Sequence, residues 1–173
     1  VDDGVDPQHP DLDLHTYVAW DSNADIVDVP TLTSNNAAVH GTACAGIIAA
    51  IADNGISGCG AAPGVNISSA ALLMVSFQWV FDLAEAETID HFLGAADVYS
   101  NSWGPPDDLS VDYMGSLYAA ALERARLAGR NGKGAIMVFA AGNGSPRDNS
   151  NSDPYTAHRY TLAVGAIGDN DQE

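Results

Sequence analysis

Apolar residues follow two different patterns along this chain, and the two patterns alternate. Short continuous apolar runs predict strands at residues 17–20, 65–73, 135–141 and 160–167, of which 65–73 and 135–141 are predicted to be buried. A further strand starts at residue 97 and runs into a turn ended by Pro105. Apolar positions that recur every three or four residues predict helices at 40–51, 79–92 and 113–128, the last stopped by the glycine-rich segment 129–134. The residues predicted to face inward are, on the second helix, Leu83, Ala86, Ile89 and Leu93, and on the third, Met114, Leu117, Tyr118, Ala121 and Ala125. Because strands and helices alternate, the sequence predicts an α/β fold of three layers, with a mostly parallel sheet covered by helices on both faces.

The first predicted helix begins with a histidine, His40, and is rich in small residues. Its larger apolar residues recur at the spacing i, i+3, i+4 and i+7, which predicts that they form one buried face: Cys44, Ile47, Ile48 and Ile51. A histidine held at the start of a buried helix can serve as a general base. The alternative is a helix-capping or surface histidine without chemical function.

The charge of the chain is unusual for a globular protein. The 173 residues carry 23 Asp and Glu against 6 Lys and Arg, a formal net charge of −17. Such a field repels nucleic acid and anionic membranes, and it attracts cations, basic peptides and metal ions. No window is long and apolar enough to span a membrane, and no basic-then-apolar leader starts the chain. The two cysteines are too few for a disulfide framework; we interpret Cys44 as a small buried apolar residue and leave the pairing of Cys59 open.

Three polar positions follow predicted strands or open a helix, and they have assignable chemical roles. Asp2 stands at the end of a presumed strand, His40 opens a helix, and Asn143 lies between two glycines after the strand at 135–141. These glycines would let a substrate backbone come close. A carboxylate bonded to one imidazole nitrogen leaves the other nitrogen free to take a proton from a serine, and an asparagine amide can bind a developing oxyanion. The alternatives are an Asx-turn for Asp2 and a left-handed turn for Asn143.

The glycine-rich loop at residues 53–60 has its own ambiguity. Side-chain oxygens of Asp53 and Asn54, followed by exposed carbonyls, suit a hard cation such as calcium, but the same pattern is typical of a plain turn that ends a helix. The loop by itself favours the turn.

Four sequence blocks resemble the subtilisin-type serine peptidases, and within them the kexin and furin branch, the proprotein convertases. The blocks are Asp-Asp-Gly at 2–4 with His-Pro-Asp-Leu at 9–12; His-Gly-Thr-Ala-Cys-Ala-Gly at 40–46; Ser-Asn-Ser-Trp-Gly-Pro at 100–105 with Asp-Asp at 107–108; and Gly-Lys-Gly at 132–134 with Phe-Ala-Ala-Gly-Asn-Gly at 139–144. The resemblance covers nearly the whole chain. It implies a calcium-dependent serine endopeptidase that is exported from the cytosol and made with an inhibitory pro-segment.

The same resemblance implies roles for individual residues. For catalysis, Asp2 would orient His40, the general base, and Asn143 would bind the oxyanion. For substrate, the resemblance implies backbone pairing by residues 102–104 and carboxylates that face basic side chains: Ser102, Trp103 and Gly104, then Asp3, Asp107 and Asp153. For calcium it implies one site at Asp11, Ile51, Asn54, Ile56 and Gly58, and a second at Asp107 and Asp148. A carboxylate at the floor of such a pocket would favour arginine or lysine before the cleaved bond.

The chain also departs from the family pattern. Ala37 and Ser57 stand where these peptidases usually carry an acid and a cysteine, and no Gly-Thr-Ser nucleophile motif follows Asn143. The serines at 145, 150 and 152 lie in the wrong context, and we assign none of them as the nucleophile. We therefore expect one domain, 1–173, incomplete at both ends and inactive by itself. A non-catalytic relative that binds basic peptides or calcium is the alternative, and a nucleotide-binding α/β domain is disfavoured because no phosphate loop follows a strand.

Overall fold

The structure is a computed structural model, and it describes residues 1–20, 26–27, 39–73, 81–144 and 146–169. The chain divides into two compact units, residues 1–84 and residues 85–173. Ala37, Ser145 and the first two residues of the helix predicted at 79–92 lie outside the described residues. The prediction of a single domain stays a prediction.

In its described residues, the first unit combines a three-stranded sheet with one helix. Its elements are β1 (Leu14–Trp20), β2 (Ile26–Val27), α1 (Val39–Ala49) and β3 (Ile67–Ala71). The sheet order is β2-β1-β3, with β1 parallel to β3 and antiparallel to β2. Residue 2 extends this sheet, because Asp2 N–H donates to the Ala70 carbonyl at 3.0 Å beside the end of β3. The start of the chain therefore lies at the carboxyl end of a parallel strand.

The second unit holds an all-parallel sheet and two helices. Its elements are α2 (Phe81–Phe92, which begins before the boundary), β4 (Val98–Asn101), α3 (Ser116–Gly132), β5 (Ile136–Ala140) and β6 (Thr161–Val164). The order is β4-β5-β6, so the central strand is β5. Phe139 on β5 is fully buried, and burial of a side chain of this size contributes roughly 2–3 kcal/mol. A short 3-10 turn, Ser150–Ser152, precedes β6.

The described strands and helices confirm the predicted α/β class, with boundaries that move by a few residues. β1 begins at Leu14, three residues earlier than predicted, because its polar first half is paired to β3. α3 is regular only as far as Ala128: Gly129 is extended, and the next two residues adopt left-handed angles. The predicted stop at 129–134 therefore agrees with the backbone.

The predicted buried face of α1 is wrong. The residues of this helix that are buried are Gly41, Ala45 and Ala49, at the spacing i, i+4 and i+8, while Ile47 is 75% exposed and Ile51 lies beyond the helix end. The physical reason is close backbone approach. A β-carbon on Gly41 would overlap the Gly4 carbonyl oxygen, so only a face without side-chain bulk can pack against the loop after Asp2.

Helix α2 also differs from its predicted pattern. Ala86 and Ile89 are buried as expected, but Leu83 is exposed. Glu85, which the apolar pattern does not include, is buried. Apolar periodicity gives no signal for a buried acid, so the sequence pattern missed this residue.

Candidate active site

Asp2 and His40 form a hydrogen-bonded pair in the first unit. Asp2 is held by its backbone pairing beside β3, and His40 is the second residue of α1. The Asp2 Oδ1 and His40 Nδ1 atoms lie 2.9 Å apart, and Asp2 is buried whereas the imidazole is largely exposed. The geometry therefore directs one ring nitrogen to a buried carboxylate and leaves Nε2 on the accessible side.

This pair alters the proton affinity of the imidazole. The hydrogen bond to Asp2 and its negative charge raise the pKa of His40 above its ordinary value, against a smaller lowering by desolvation. Cys44, one turn later on α1, places its Sγ 3.9 Å from His40 Nδ1 and is half-buried, which corrects the prediction of a fully buried thiol. Cys44 and Cys59 are both free thiols.

Asp3 caps the start of α1. Its two carboxylate oxygens accept from the backbone N–H groups of His40, at 3.3 Å, and Gly41, at 2.7 Å. The first N–H groups of a helix have no partner within the helix, and a carboxylate there also interacts favourably with the helix dipole. Thr42 adds a second link, since its Oγ1 accepts from Asp6 N–H at 2.8 Å. The loop after Asp2 is thus attached to the helix that carries His40, a structural role for Asp3 that no local sequence signal indicates.

Two of the predicted calcium ligands of the first unit are in direct contact. Asp11 is 3% exposed, and its Oδ1 accepts from the Asn54 amide nitrogen at 2.7 Å. The Asn54 Oδ1 accepts from Ile56 N–H at 2.9 Å, and Ile51 N–H donates to the Asp11 carbonyl at 3.1 Å. Four of the five predicted residues are therefore linked. The Asp11 carboxylate and the Asn54 side-chain oxygen are donors of the kind that calcium binds, but in this structure the Asn54 amide nitrogen contacts Asp11 and its oxygen contacts Ile56 N–H.

In the second unit, the predicted substrate-binding segment directly follows β4. Asn101 fixes the end of that strand, because its buried amide donates to the carbonyls of Tyr99 and Val138. Trp103 comes two residues later, and its ring meets Phe139 and Tyr155 edge-on, with centroids 5.5 and 5.2 Å away. The aromatic contacts hold the segment 102–104 in place without using its backbone.

The predicted pocket acid Asp153 lies against this segment. A β-carbon on Gly104 would lie 3.3 Å from Asp153 Oδ2, so the carboxylate and the glycine backbone are neighbours. Partial burial raises the pKa of Asp153, while hydrogen bonds from Tyr155 and Thr156 oppose the shift. The Tyr155 N–H bond is 2.7 Å long. A half-buried carboxylate of this kind gains from a cationic partner.

Asp107, Asn143 and Asp148 form a second cluster in this unit. The Asn143 backbone N–H donates to Asp107 Oδ2 at 3.1 Å. Both acids pack closely against Gly144. A β-carbon on Gly144 would lie 3.1 Å from the Asp107 β-carbon and would overlap the Asp148 β-carbon. The space beside the two glycines that flank Asn143 is therefore taken by carboxylate side chains, whereas we had predicted that it admits a substrate backbone.

Sequence reasoning missed the contact between Glu85 and Tyr155. Glu85 is 1% exposed, and the Tyr155 hydroxyl lies 3.0 and 3.1 Å from its two carboxylate oxygens. Burial, followed by the charge of Glu85, raises the pKa of Tyr155, so the phenol stays protonated and donates. Because Tyr155 also packs on Trp103, this buried acid supports the platform beneath the segment 102–104.

Comparisons with known proteins identify the family. The family model of the subtilases matches residues 1–173. The chain belongs to the subtilase family. Its members are serine endopeptidases, and the similar curated proteins are kexin-like proprotein convertases.

The relatives are much longer than this chain. A dibasic-processing endoprotease of Schizosaccharomyces pombe is 39% identical over 172 residues, which cover 96% of this chain and 23% of that protein. Neuroendocrine convertase 2 of Drosophila melanogaster is 38% identical and that of Bos taurus 37%, each over 174 residues that cover 98% of this chain and 26–27% of the relative. The subtilase chain thus spans about a quarter of the length of the curated relatives it matches. Within its described residues, no helix is both long and apolar enough to cross a membrane.

Proposed function

We propose that this chain is part of the catalytic domain of a secreted, calcium-dependent serine endopeptidase that cleaves peptides after basic residues. The observation that carries the proposal is the pair of Asp2 and His40, with 2.9 Å between Oδ1 and Nδ1 and a buried carboxylate behind an exposed ring. A relative that had lost catalysis has no chemical need of this arrangement.

In the proposed mechanism His40 takes the proton of a serine hydroxyl on Nε2. The bond from Nδ1–H to Asp2 selects the required tautomer, and the carboxylate stabilises the imidazolium that forms. Asn143 would donate its side-chain amide to the oxyanion of the tetrahedral intermediate. We assign no serine among the 173 residues as the nucleophile. Since loss of that serine costs about as much as loss of the whole triad, we propose that these residues alone do not hydrolyse peptides.

Peptide substrate would bind to the segment 102–104 as an added strand, pairing through the backbone of Ser102, Trp103 and Gly104. Support comes from the edge-on aromatic contacts that fix Trp103. The pocket beside this strand would hold the basic side chain, with Asp153 and Asp107 as its carboxylates, and Asp3 would face the preceding substrate residue. Asp153 is the best supported of these, because its half-buried carboxylate lies beside Gly104 and would gain from a cationic partner.

Calcium would bind at two places. Asp11 and Asn54 would supply side-chain oxygens in the first unit, with backbone oxygens from Ile51, Ile56 and Gly58. Asp107 and Asp148 would share an ion in the second unit, where the β-carbons of both acids lie beside Gly144. Calcium there would supply positive charge to balance these carboxylates and would hold the loops that carry them. Such sites need the high calcium of the secretory pathway or cell exterior, which agrees with the proposed export and with regulation by a pro-segment.

The test is peptide hydrolysis by the full-length protein that contains this chain. Two peptides that differ only in Arg or Leu before the cleaved bond are compared, with calcium and with a chelator. We expect faster cleavage after Arg, and loss of cleavage in the chelator. His40→Ala should abolish cleavage, whereas His15→Ala, which changes an exposed histidine on β1, should not.

Each result bears on a different part of the proposal. Equal rates for Arg and Leu would refute basic specificity, and an active His40→Ala enzyme would refute the role of His40. Tight binding of the Arg peptide without cleavage would favour the non-catalytic alternative. Labelling of the 173-residue chain by a fluorophosphonate would contradict its proposed inactivity.

A further inference from the structure

The backbone of Asn143 is held by an acid from a different turn. Asp107 lies in the turn after β4, and Asn143 lies in the turn after β5, the parallel neighbour of β4. The Asp107 Oδ2 accepts from the Asn143 N–H at 3.1 Å, across 36 residues of sequence. The position of Asn143, the proposed oxyanion donor, therefore depends on the side chain of Asp107. A role in a specificity pocket alone would not require Asp107 to contact Asn143.

The flanking glycines make room for this contact. Gly142 has φ +91°, and a β-carbon there would lie 2.5 Å from Asp107 Oδ1. On the other side, a β-carbon on Gly144 would lie 3.1 Å from the Asp107 β-carbon. Any side chain at either position would push the carboxylate away from the Asn143 N–H, so the Gly-Asn-Gly turn is built around the acid.

We propose that Asp107 is a positioning residue for Asn143, in addition to any contact with substrate or calcium. This inference rests on the proposed function, in which the Asn143 side chain stabilises the oxyanion. A backbone N–H fixed by Asp107 restricts the torsions of Asn143, and hence the direction in which its amide points. Small displacements of a catalytic group have large effects on rate, because the group must meet the transition state at hydrogen-bond distance.

Two substitutions separate this role from the others. Calcium and an arginine side chain require the negative charge of Asp107, whereas the Asn143 N–H requires only an oxygen acceptor. Asp107→Asn removes the charge and keeps an acceptor oxygen, and Asp107→Ala removes both. The control is Asp108→Asn, because the adjacent Asp108 is exposed and its carboxylate accepts from Ser110 N–H within its own turn.

The experiment measures kcat and KM of the full-length protein on the Arg and Leu peptides. Both Asp107 variants should raise KM for the Arg peptide and weaken calcium binding to a similar degree, measured by calorimetry. Asp107→Ala should in addition lower kcat on the order of tenfold below Asp107→Asn, for the Arg and Leu peptides alike. Asp108→Asn should match the unsubstituted protein. Equal kcat for the two Asp107 variants would overturn the positioning role.

Hydrogen exchange at the Asn143 amide gives a readout that does not depend on catalysis. We expect protection in the unsubstituted protein and in Asp107→Asn, and exchange about tenfold faster in Asp107→Ala. If the protein cleaves neither peptide, the proposed function fails, and exchange still decides whether Asp107 holds Asn143. If Asp107→Ala does not fold, Asp107→Ser replaces it, since its hydroxyl ends one atom short of the carboxylate oxygen. Unchanged exchange in these variants would refute the contact itself.

Discussion

Gly41 lies where helix α1 packs against the loop after Asp2. Adding a single methyl group at this residue tests the packing that brings Asp2 and His40 together. Replacement of Gly41 by Ala adds a β-carbon that overlaps the Gly4 carbonyl oxygen and lies 2.9 Å from both the Asp2 β-carbon and Asp3 Oδ1. Two of these three contacts involve atoms that no side-chain rotation can move. The substitution must therefore push α1 away from the loop after Asp2.

The size of the effect follows from three contributions. Overpacking against a rigid neighbour costs about 3 kcal/mol, the upper end of the usual range. The bond from Gly41 N–H to Asp3, 2.7 Å in length, is weakened when α1 moves, which adds about 1 kcal/mol. Ala is a better helix former than Gly by about 1 kcal/mol, which acts in the opposite direction. We expect a net loss of about 3 kcal/mol in the free energy of unfolding.

Gly46→Ala is the matched control, because it makes the same change on the same helix. A β-carbon on Gly46 would meet no atom within 4 Å, so only the helix propensity acts, and we expect a gain of up to about 1 kcal/mol. Urea denaturation of the two variants measures both values by linear extrapolation. Equal stability of Gly41→Ala and Gly46→Ala would refute the close packing of α1 on the Asp2 loop.

Two further predictions concern the buried acids. Tyr155→Phe removes the hydroxyl that donates to Glu85, so we expect the free energy of unfolding, measured by urea denaturation, to fall by about 2 kcal/mol. The control, Tyr113→Phe, changes a residue that is 89% exposed and should alter the free energy of unfolding by less than about 0.5 kcal/mol. Equal values for the two variants would contradict the Glu85 contact. Asp2→Asn should lower the pKa of His40, followed by NMR titration of its ring protons, and move the acidic limb of the activity profile to lower pH while reducing the maximal rate. Because the folded-state pKa is raised, protonation of His40 stabilises the fold below its ordinary pKa of about 6.5, and this stabilisation disappears as the pH rises through the folded-state value. An unchanged His40 pKa in Asp2→Asn would refute the pairing.

The predictable part of the fold is the part that repeats a simple pattern. The strand at 135–141 is a continuous apolar run, and β5 occupies its centre, as Ile136–Ala140. Of the stripe predicted on α3, Tyr118, Ala121 and Ala125 are buried, whereas Leu117 is 46% exposed. In both cases the element's own residues carry the signal, so the sequence pattern predicts the element and several of its buried positions.

The parts that could not be predicted depend on contacts between distant segments. Which face of α1 is buried is decided by the Gly4 carbonyl, 37 residues before Gly41, and not by the hydrophobicity of Ile47. The burial of Glu85 depends on a hydrogen bond from the hydroxyl of Tyr155, which lies 70 residues away in sequence. Motifs predicted Asp2, His40 and Asn143 as a set, but they carried no information on which acids would hold backbone groups in place.

That last distinction changes how the large negative charge of the chain is interpreted. A surplus of acids is expected to form a solvated surface, yet several of them accept hydrogen bonds from backbone N–H groups at the candidate site. Asp3 accepts from His40 and Gly41, and Asp107 accepts from Asn143. In each unit an acid from one loop therefore fixes the backbone of a proposed catalytic residue on another. Both acids are also proposed to face basic substrate side chains, and if one carboxylate serves both purposes, bound substrate and the catalytic backbone are coupled through it. Replacement by the amide, which keeps the acceptor and removes the charge, is consequently the substitution that separates recognition from positioning at this site.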